Sequence, residues 1–229
     1  MTGATVALSD AAAHHARVKR LGPGDVLRLT DGAGTVSQAT IAALHRDSLS
    51  VTVADVVTVG PQPAVHLRAP VADRDRMLWL AEKATELGVT SWQAVRFKRS
   101  ASVSPRGEGS AFGAKLRARM ISALEQSGGA WLPLTLPDTT PDSLVINQGE
   151  LPILLDHDGQ SLSRIVSLPS AGSPVLLLGP EGGLEPAEVA ALGRAGWQLA
   201  SLADTTLRFE TAGIAAVAVC RALKVSRGS

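Results

Sequence analysis

The stretch Val175-Leu176-Leu177-Leu178-Gly179-Pro180-Glu181-Gly182-Gly183-Leu184-Glu185-Pro186 decides the fold class. Its first four residues are apolar at both parities, which reads as a central strand of a parallel sheet buried on both faces. Glycines and a proline then break the chain. Pro186 at a first helical position and Glu188 in the first turn open a helix that Gly196 ends. Strand, Gly-rich turn and helix make up the unit of an open α/β sheet, in which ligands sit at the carboxyl ends of the strands. Glycines at such a turn let backbone N–H groups approach a ligand closely. A structural strand-to-helix turn with Glu181 exposed is the alternative reading.

Outward from this stretch the same rhythm continues. Ile153-Leu154-Leu155 and Gln198 to Leu202 are further strand-length apolar runs. Met77, Leu80, Ala81, Ala84 and Leu87 recur at helical spacing, with Asp75 to cap the start and Gly88 to stop the helix. Leu116 to Gln126 and an alanine-rich run from about Glu210 to Leu223 are two more helices, and the Ser/Gly-rich Ser100 to Gly113 reads as a flexible loop. Upstream the pattern differs. Val26 to Leu29, Val36 to Ile41 and Leu49 to Val59 are short strands punctuated by turns such as Asp31-Gly32-Ala33-Gly34, and Val65-His66-Leu67 reads as one more. The expectation is a small β-rich domain over 1–69 and an α/β domain over 70–229.

With 229 residues, 45 % hydrophobic and 19 % charged, the chain is globular, which excludes disordered, collagen-like and coiled-coil architectures. The lone Cys220 excludes an internal disulfide scaffold and a Cys-rich zinc site, and no apolar run is long enough to span a membrane. The expected compartment is the reducing cytoplasm. Net charge is only +1, but residues 71–130 carry +4 and residues 131–229 carry −4. A basic middle segment can face a polyanion, although charges scattered over solvated helices give the same counts. His14 and His15 have no acidic or cysteine partners at metal-ligand spacing, so no metal is expected. Aromatics are 3 %, and Trp79 and Trp92 read as core residues rather than base-stacking platforms.

The Gly-rich turn is not a Walker loop, since no Lys-Ser or Lys-Thr follows it, and no G-x-G-x-x-G occurs in the chain. A second cluster, Leu202-Ala203-Asp204-Thr205-Thr206-Leu207-Arg208-Phe209-Glu210-Thr211-Ala212, again leads from a strand into a helix. Two such loops can form opposite walls of one pocket, suited to an adenine and ribose, with Arg208 and Glu181 or Glu210 acting on a polar substrate. Arg208 as a surface charge and Glu210 as a first-turn dipole partner remain the plainer alternatives.

Four motifs together resemble the RsmE family: Arg76-Met77-Leu78-Trp79-Leu80-Ala81-Glu82-Lys83-Ala84-Thr85-Glu86-Leu87-Gly88-Val89, Glu125-Gln126-Ser127-Gly128, Leu178-Gly179-Pro180-Glu181-Gly182-Gly183 and Leu207-Arg208-Phe209-Glu210-Thr211-Ala212. Residues from His14 to Asp25 resemble the same family's PUA-like RNA-binding β-barrel. The resemblance implies a bacterial methyltransferase that uses S-adenosylmethionine to modify N3 of a uridine in 16S ribosomal RNA. It also implies a SPOUT-class parallel-sheet domain with a C-terminal trefoil knot, acting as a homodimer on the RNA or the assembled small subunit. By the same route Leu178, Gly179, Glu181, Gly182, Leu202, Leu207, Thr211 and Ala212 would hold the cofactor. Arg208 would stabilise the developing uracil anion, and Glu181, or else Glu210, would serve as general base. His14, His15, Arg17, Lys19 and Arg20, extended by Arg96, Lys98 and Arg99, would contact RNA.

The sequence departs from the family pattern in places. The opening Met1-Thr2-Gly3-Ala4-Thr5-Val6 lacks the usual Arg-Phe-Phe, which predicts the loss of a first strand and of an RNA contact. The segment before Glu210 loses a glycine and an arginine, and Gly129 stands where an arginine commonly follows Gln-Ser-Gly. Methylation of a ribose 2′-hydroxyl, a non-catalytic RNA-binding or assembly role, and a small-molecule enzyme with a phosphate cradle are the competing readings.

Overall fold

The computed structural model describes residues 3–102, 105–168 and 172–225. The chain divides into two compact units, Met1–Pro61 with Gly128–Trp131, and Gln62–Ser127 with Leu132–Ser229.

The first unit is a four-stranded antiparallel sheet, order β1-β4-β3-β2, built from β1 (Ala4–Leu8), β2 (Val26–Thr30), β3 (Thr35–Leu44) and β4 (Leu49–Thr58), with helix α1 (Asp10–Val18) packed on it. The first strand forms despite the departure from the family's opening, because Ala4–Leu8 pairs residue by residue with Leu49–Val53. Its small core is Ala13 and Ala16 of α1 against Ala39, Ile41, Leu49 and Val51. At the β2–β3 turn Asp31 Oδ1 accepts from the amides of Ala33 (2.7 Å) and Thr35 (3.0 Å), which holds its carboxyl below the usual range. The segment Gly128–Trp131 completes this unit. The Gly34 amide donates to Ala130 O, the Trp131 indole to Val59 O (2.9 Å) and Arg28 to Gly129 O (2.9 Å). A Cβ on Gly34 would run into the indole.

The second unit is a six-stranded parallel sheet, order β10-β8-β9-β5-β6-β7. Its strands are β5 (His66–Pro70), β6 (Ser91–Val95), β7 (Leu134–Thr139), β8 (Glu150–Ser161), β9 (Ser173–Leu178) and β10 (Gln198–Ser201). The helices are α2 (Arg74–Glu86), α3 (Ser110–Ser127), α4 (Leu162–Val166), α5 (Pro186–Arg194) and α6 (Phe209–Val225). β9 has the two-faced burial its apolar run predicts. Leu176 and Leu178 join a core with α2, α3, α4 and α6, whereas Val175 and Leu177 join another with Leu192 of α5 and Trp197.

Several expectations need correction. His66–Pro70 pairs with β6 and β9 inside the parallel sheet, so it is not the last strand of the β-rich unit, and the division falls near residue 61 rather than 69. A short apolar run before Ala69-Pro70 looks the same in either sheet. Asp73, not Asp75, caps α2, its carboxylate accepting from the amides of Asp75 and Arg76 at 3.0 Å. Helix α3 starts at Ser110, inside the segment read as a loop. Phe112, Leu116 and Met120 supply the i, i+4, i+8 stripe that the Ser/Gly composition disguised. Lys98–Ser102 forms a 3₁₀ turn, and Val103 and Ser104 of that segment lie outside the described residues. Trp92 is core, but Trp79 is 47 % exposed.

At the far end of the chain Arg221 of α6 reaches the carbonyls of Leu87, Gly88 and Pro63. It thereby covers the negative end of α2, where a cation is favoured.

Candidate active site

Three neighbouring parallel strands, β8, β9 and β10, deliver their carboxyl ends to one cleft of about 580 Å³. After β9 the chain turns through Gly179–Glu185, closed by a Gly183 amide to Pro180 carbonyl bond of 2.9 Å with Gly183 at φ +69°. Only glycine adopts that conformation without strain. After β10, residues 202–208 cross the opposite side and end at α6, where the Ala212 amide bonds Arg208 O at 2.9 Å. The third wall comes from β8. Ile153 and Leu154 pair with Gln198 and Leu199, but the next paired residue is Gln160 with Ala200, so Leu155–Gly159 leave the β10 ladder. Such a bulge re-aims side chains beside a site. Gly159 must be glycine for the strand to rejoin, since a Cβ there would strike the backbone of Leu199 and Ala200.

Apolar walls from Leu155, Leu178, Leu202, Leu207 and Ala212 face a polar rim of Arg76, Asp156, His157, Glu181 and Arg208. Arg76, on the first turn of α2, donates from Nη1 to Glu181 Oε1, and its Nε lies 3.9 Å from Glu210 Oε1. This partly exposed pair contributes at most about 1 kcal/mol of stability. Its effect is to tie the β9–α5 turn to α2. Arg208 is exposed, and among the described residues its guanidinium has no hydrogen-bond or ion-pair partner. Among the described residues no group of three His, Cys, Asp or Glu side chains is placed to hold a metal ion.

Of the residues named from the sequence, Leu178, Gly179, Glu181, Leu202, Leu207, Arg208 and Ala212 line the cleft. Gly182, Thr211 and Glu210 do not. Gly182 turns its carbonyl to Arg99 Nη1 at 3.1 Å. Thr211 points to solvent from the first turn of α6. Glu210 is buried behind Arg76 at the positive end of α6, with Oε2 unpartnered among the described residues.

His14, His15, Arg17, Lys19 and Arg20 are all exposed around the end of α1. Arg20 sits at φ +56°, a left-handed conformation costing roughly 1–2 kcal/mol in a non-glycine residue, where the Leu21 amide closes onto Ala16 O. The three cations named from the second unit, Arg96, Lys98 and Arg99, each have a partner within it. Arg96 pairs with Glu108 (3.1 Å) and Asp138 (3.9 Å), Lys98 pairs with Glu185 (3.4 Å), and Arg99 braces the β9–α5 turn through Gly182 O. Burial raises the Asp138 carboxyl, with Arg96 opposing and Glu108 adding to the effect.

Sequence reasoning missed Arg76, Asp156 and His157 as cleft residues. The signal for the last two was present: Asp156-His157-Asp158-Gly159 is a turn signature at the carboxyl end of an apolar run. Its folding back into a strand hid it.

A family model described as an RNA methyltransferase domain matches residues 60–221, and one described as an RNA methyltransferase PUA domain matches residues 8–54. The proteins named Ribosomal RNA small subunit methyltransferase E from Mycobacterium bovis and Mycobacterium tuberculosis are each 32 % identical over 94 % of this chain and 86 % of their own. The crystal structure of the Neisseria gonorrhoeae protein of that name, bound to S-adenosyl methionine, superposes with a TM-score of 0.87 at 28 % identity, covering 97 % of this chain and 93 % of that one. A Legionella pneumophila structure with the bound cofactor SAM gives 0.86 at 28 % identity and the same coverage.

Proposed function

Because the chain belongs to the ribosomal RNA small subunit methyltransferase E (RsmE) family, we propose that it transfers a methyl group from S-adenosylmethionine to N3 of a uridine in 16S ribosomal RNA. The observation that carries this reading is the convergence of the Gly-rich β9–α5 turn and the β10–α6 loop on one cleft that also presents Arg208, which has no partner among the described residues.

The cleft suits the cofactor in size and chemistry. About 580 Å³ lies within the usual range for ligand pockets, and apolar walls with a few polar groups fit an adenine, a ribose and a methionine chain. Leu178, Leu202, Leu207 and Ala212 would pack against the nucleoside, and Gly179 and Gly183 would let backbone amides reach it. The cofactor supplies an electrophilic methyl group on a positively charged sulfur. The chain must align the acceptor with it and stabilise charge on the uracil as N3 loses its proton. Arg208 is placed for the second task, because a guanidinium against a uracil carbonyl is strongest where negative charge develops. Glu181, held by Arg76, keeps the β9–α5 turn in register with α2.

The small β-rich unit is proposed to bind the RNA through the exposed face of α1. The cleft-bearing unit carries the chemistry and, as in its family, a SPOUT-type trefoil knot in its C-terminal part. A homodimer on the RNA or the assembled subunit, in the cytoplasm, fits a helix α6 without a charged residue between Glu210 and Arg221. Ile214, Ala215, Ala218 and Val219 are only half-buried along it.

The test is methyl transfer from labelled S-adenosylmethionine to small-subunit particles lacking the modification, with nucleoside analysis. The expected product is 3-methyluridine, abolished by Arg208→Ala while cofactor binding survives. A 2′-O-methylated product, or cofactor binding with no modified nucleoside, would replace the reading.

A further inference from the structure

Uridine N3 carries a proton at neutral pH, so methylation needs an acceptor for it. The two carboxylates suggested by the sequence are poorly placed. Glu210 does not line the cleft, and Glu181 gives an oxygen to Arg76. Among the described cleft residues the other proton acceptors are Asp156 and His157. Asp156 Oδ1 is occupied by the Asp158 amide at 3.0 Å, a bond that shapes the tip of the β8 bulge. His157 is exposed to the cleft, and among the described residues its imidazole has no hydrogen-bond or ion-pair partner.

The placement of that imidazole is built into the sheet. Five residues of β8 leave the ladder between Leu154 and Gln160, and the strand can rejoin only because Gly159 lacks a side chain. This excursion puts His157 in the same cleft as Arg208. The charged groups around the cleft are Arg76 from α2, Asp156 from β8, Glu181 from the β9–α5 turn and Arg208 from the β10–α6 loop. They balance in sign.

We propose that His157 is the general base, its imidazole taking the N3 proton of the target uridine. This rests on the reading of the protein as a uridine-N3 methyltransferase. The N3–H bond breaks and its proton passes to the imidazole nitrogen. The electron pair left on N3 forms the bond to the methyl carbon, while the carbon–sulfur pair departs with sulfur. Charge is conserved: the sulfonium is neutralised and the imidazolium carries the positive charge until solvent removes its proton. A histidine suits this task because its titration range spans neutral pH.

The test compares the native protein with His157→Ala, His157→Asn and Glu181→Gln on the same particles. Both histidine variants should lose roughly 10²–10⁴-fold in kcat, the range for general-base removal, with KM for cofactor little changed. The acid-side limb of the native pH–rate profile should disappear in His157→Asn, and added imidazole should restore part of the His157→Ala rate. Glu181→Gln should keep the acid limb. Independently of turnover, the His157 ring resonances should shift when S-adenosylhomocysteine fills the cleft. Histidine variants within twofold of native with an unchanged pH profile, or a ring indifferent to S-adenosylhomocysteine, would overturn the assignment and leave the proposed function standing. A native protein that modifies no nucleoside removes both.

Discussion

The two ends of the six-stranded sheet both carry ionisable side chains, and they treat them in opposite ways. Near the amino ends Arg68 Nη1 donates to Ser91 Oγ (3.0 Å), Ser91 Oγ meets His66 Nδ1 (2.8 Å), and His66 Nε2 lies 3.7 Å from Glu150 Oε1. Glu150 also accepts from the backbone and side-chain nitrogens of Asn147 (2.7 and 3.0 Å). Arg68 and Ser91 are each 4 % exposed. At the carboxyl ends Arg208 and His157 stand in an open cleft with no partner among the described residues. Buried ionisable groups must be paired to be tolerated, so the first set is committed to stability. The second set leaves its hydrogen-bonding capacity for a ligand. Residue type alone does not separate them: each end has an arginine, a histidine and a carboxylate.

The sharpest way to break this contrast is Arg68→Ala. It removes the donor to Ser91 Oγ and empties the volume of a side chain that is 4 % exposed, and should cost about 2–5 kcal/mol in urea unfolding, with specific activity per folded molecule unchanged. Arg208→Ala should do the reverse. The unfolding midpoint stays, while methyl transfer falls roughly 10²–10³-fold, the cost typical of losing a donor to a developing oxyanion. Gly159→Ala tests whether the working end is free of structural constraint. The clash with the Leu199–Ala200 backbone should cost about 1–3 kcal/mol and also lower activity, since the bulge that presents His157 must shift.

The smallest effect expected is a pH dependence. Burial pushes the Glu150 carboxyl up, but the hydrogen bonds from Asn147 and the charges of His66 and Arg68 outweigh it, so its native pKa lies below the ordinary carboxylate value. A depressed carboxylate stabilises the fold above its unfolded pKa and loses that contribution as pH falls through the native one. The unfolding midpoints of native protein and Glu150→Gln should therefore differ at pH 7 and converge as the solution is acidified below the usual carboxylate range. A constant gap would remove Glu150 from the amino-end network.

The elements legible in the sequence were those whose local pattern and tertiary role agree. The run Val175–Leu178 is apolar on both parities because both faces of β9 meet a core, and the stripe on α2 matches its buried face. Misreadings came where local and tertiary information diverge. His66–Pro70 has the length and flanks of an antiparallel strand, and only its partners β6 and β9 place it in the parallel sheet. In the site, the two Gly-rich or helix-leading loops announced themselves through turn chemistry. Arg76 did not, because its contact with Glu181 spans more than a hundred residues of chain and no periodicity records such a meeting. Asp156 and His157 stayed hidden because a bulge depends on which strand lies alongside, which the run Leu151–Leu155 does not encode.

The segment Gly128–Trp131 has a consequence for dissecting the protein. Four residues that follow α3 in the chain supply the indole under Gly34 and the carbonyls that bind Arg28 and the Gly34 amide. A fragment ending at Pro61 would therefore lose hydrogen bonds and packing that belong to its own unit. Recombination between relatives that exchanged the β-rich unit through a single junction would separate Trp131 from its socket. Grafting that unit intact requires three junctions, one near residue 61 and a pair flanking residues 128–131, so the unit is inherited as a discontinuous piece.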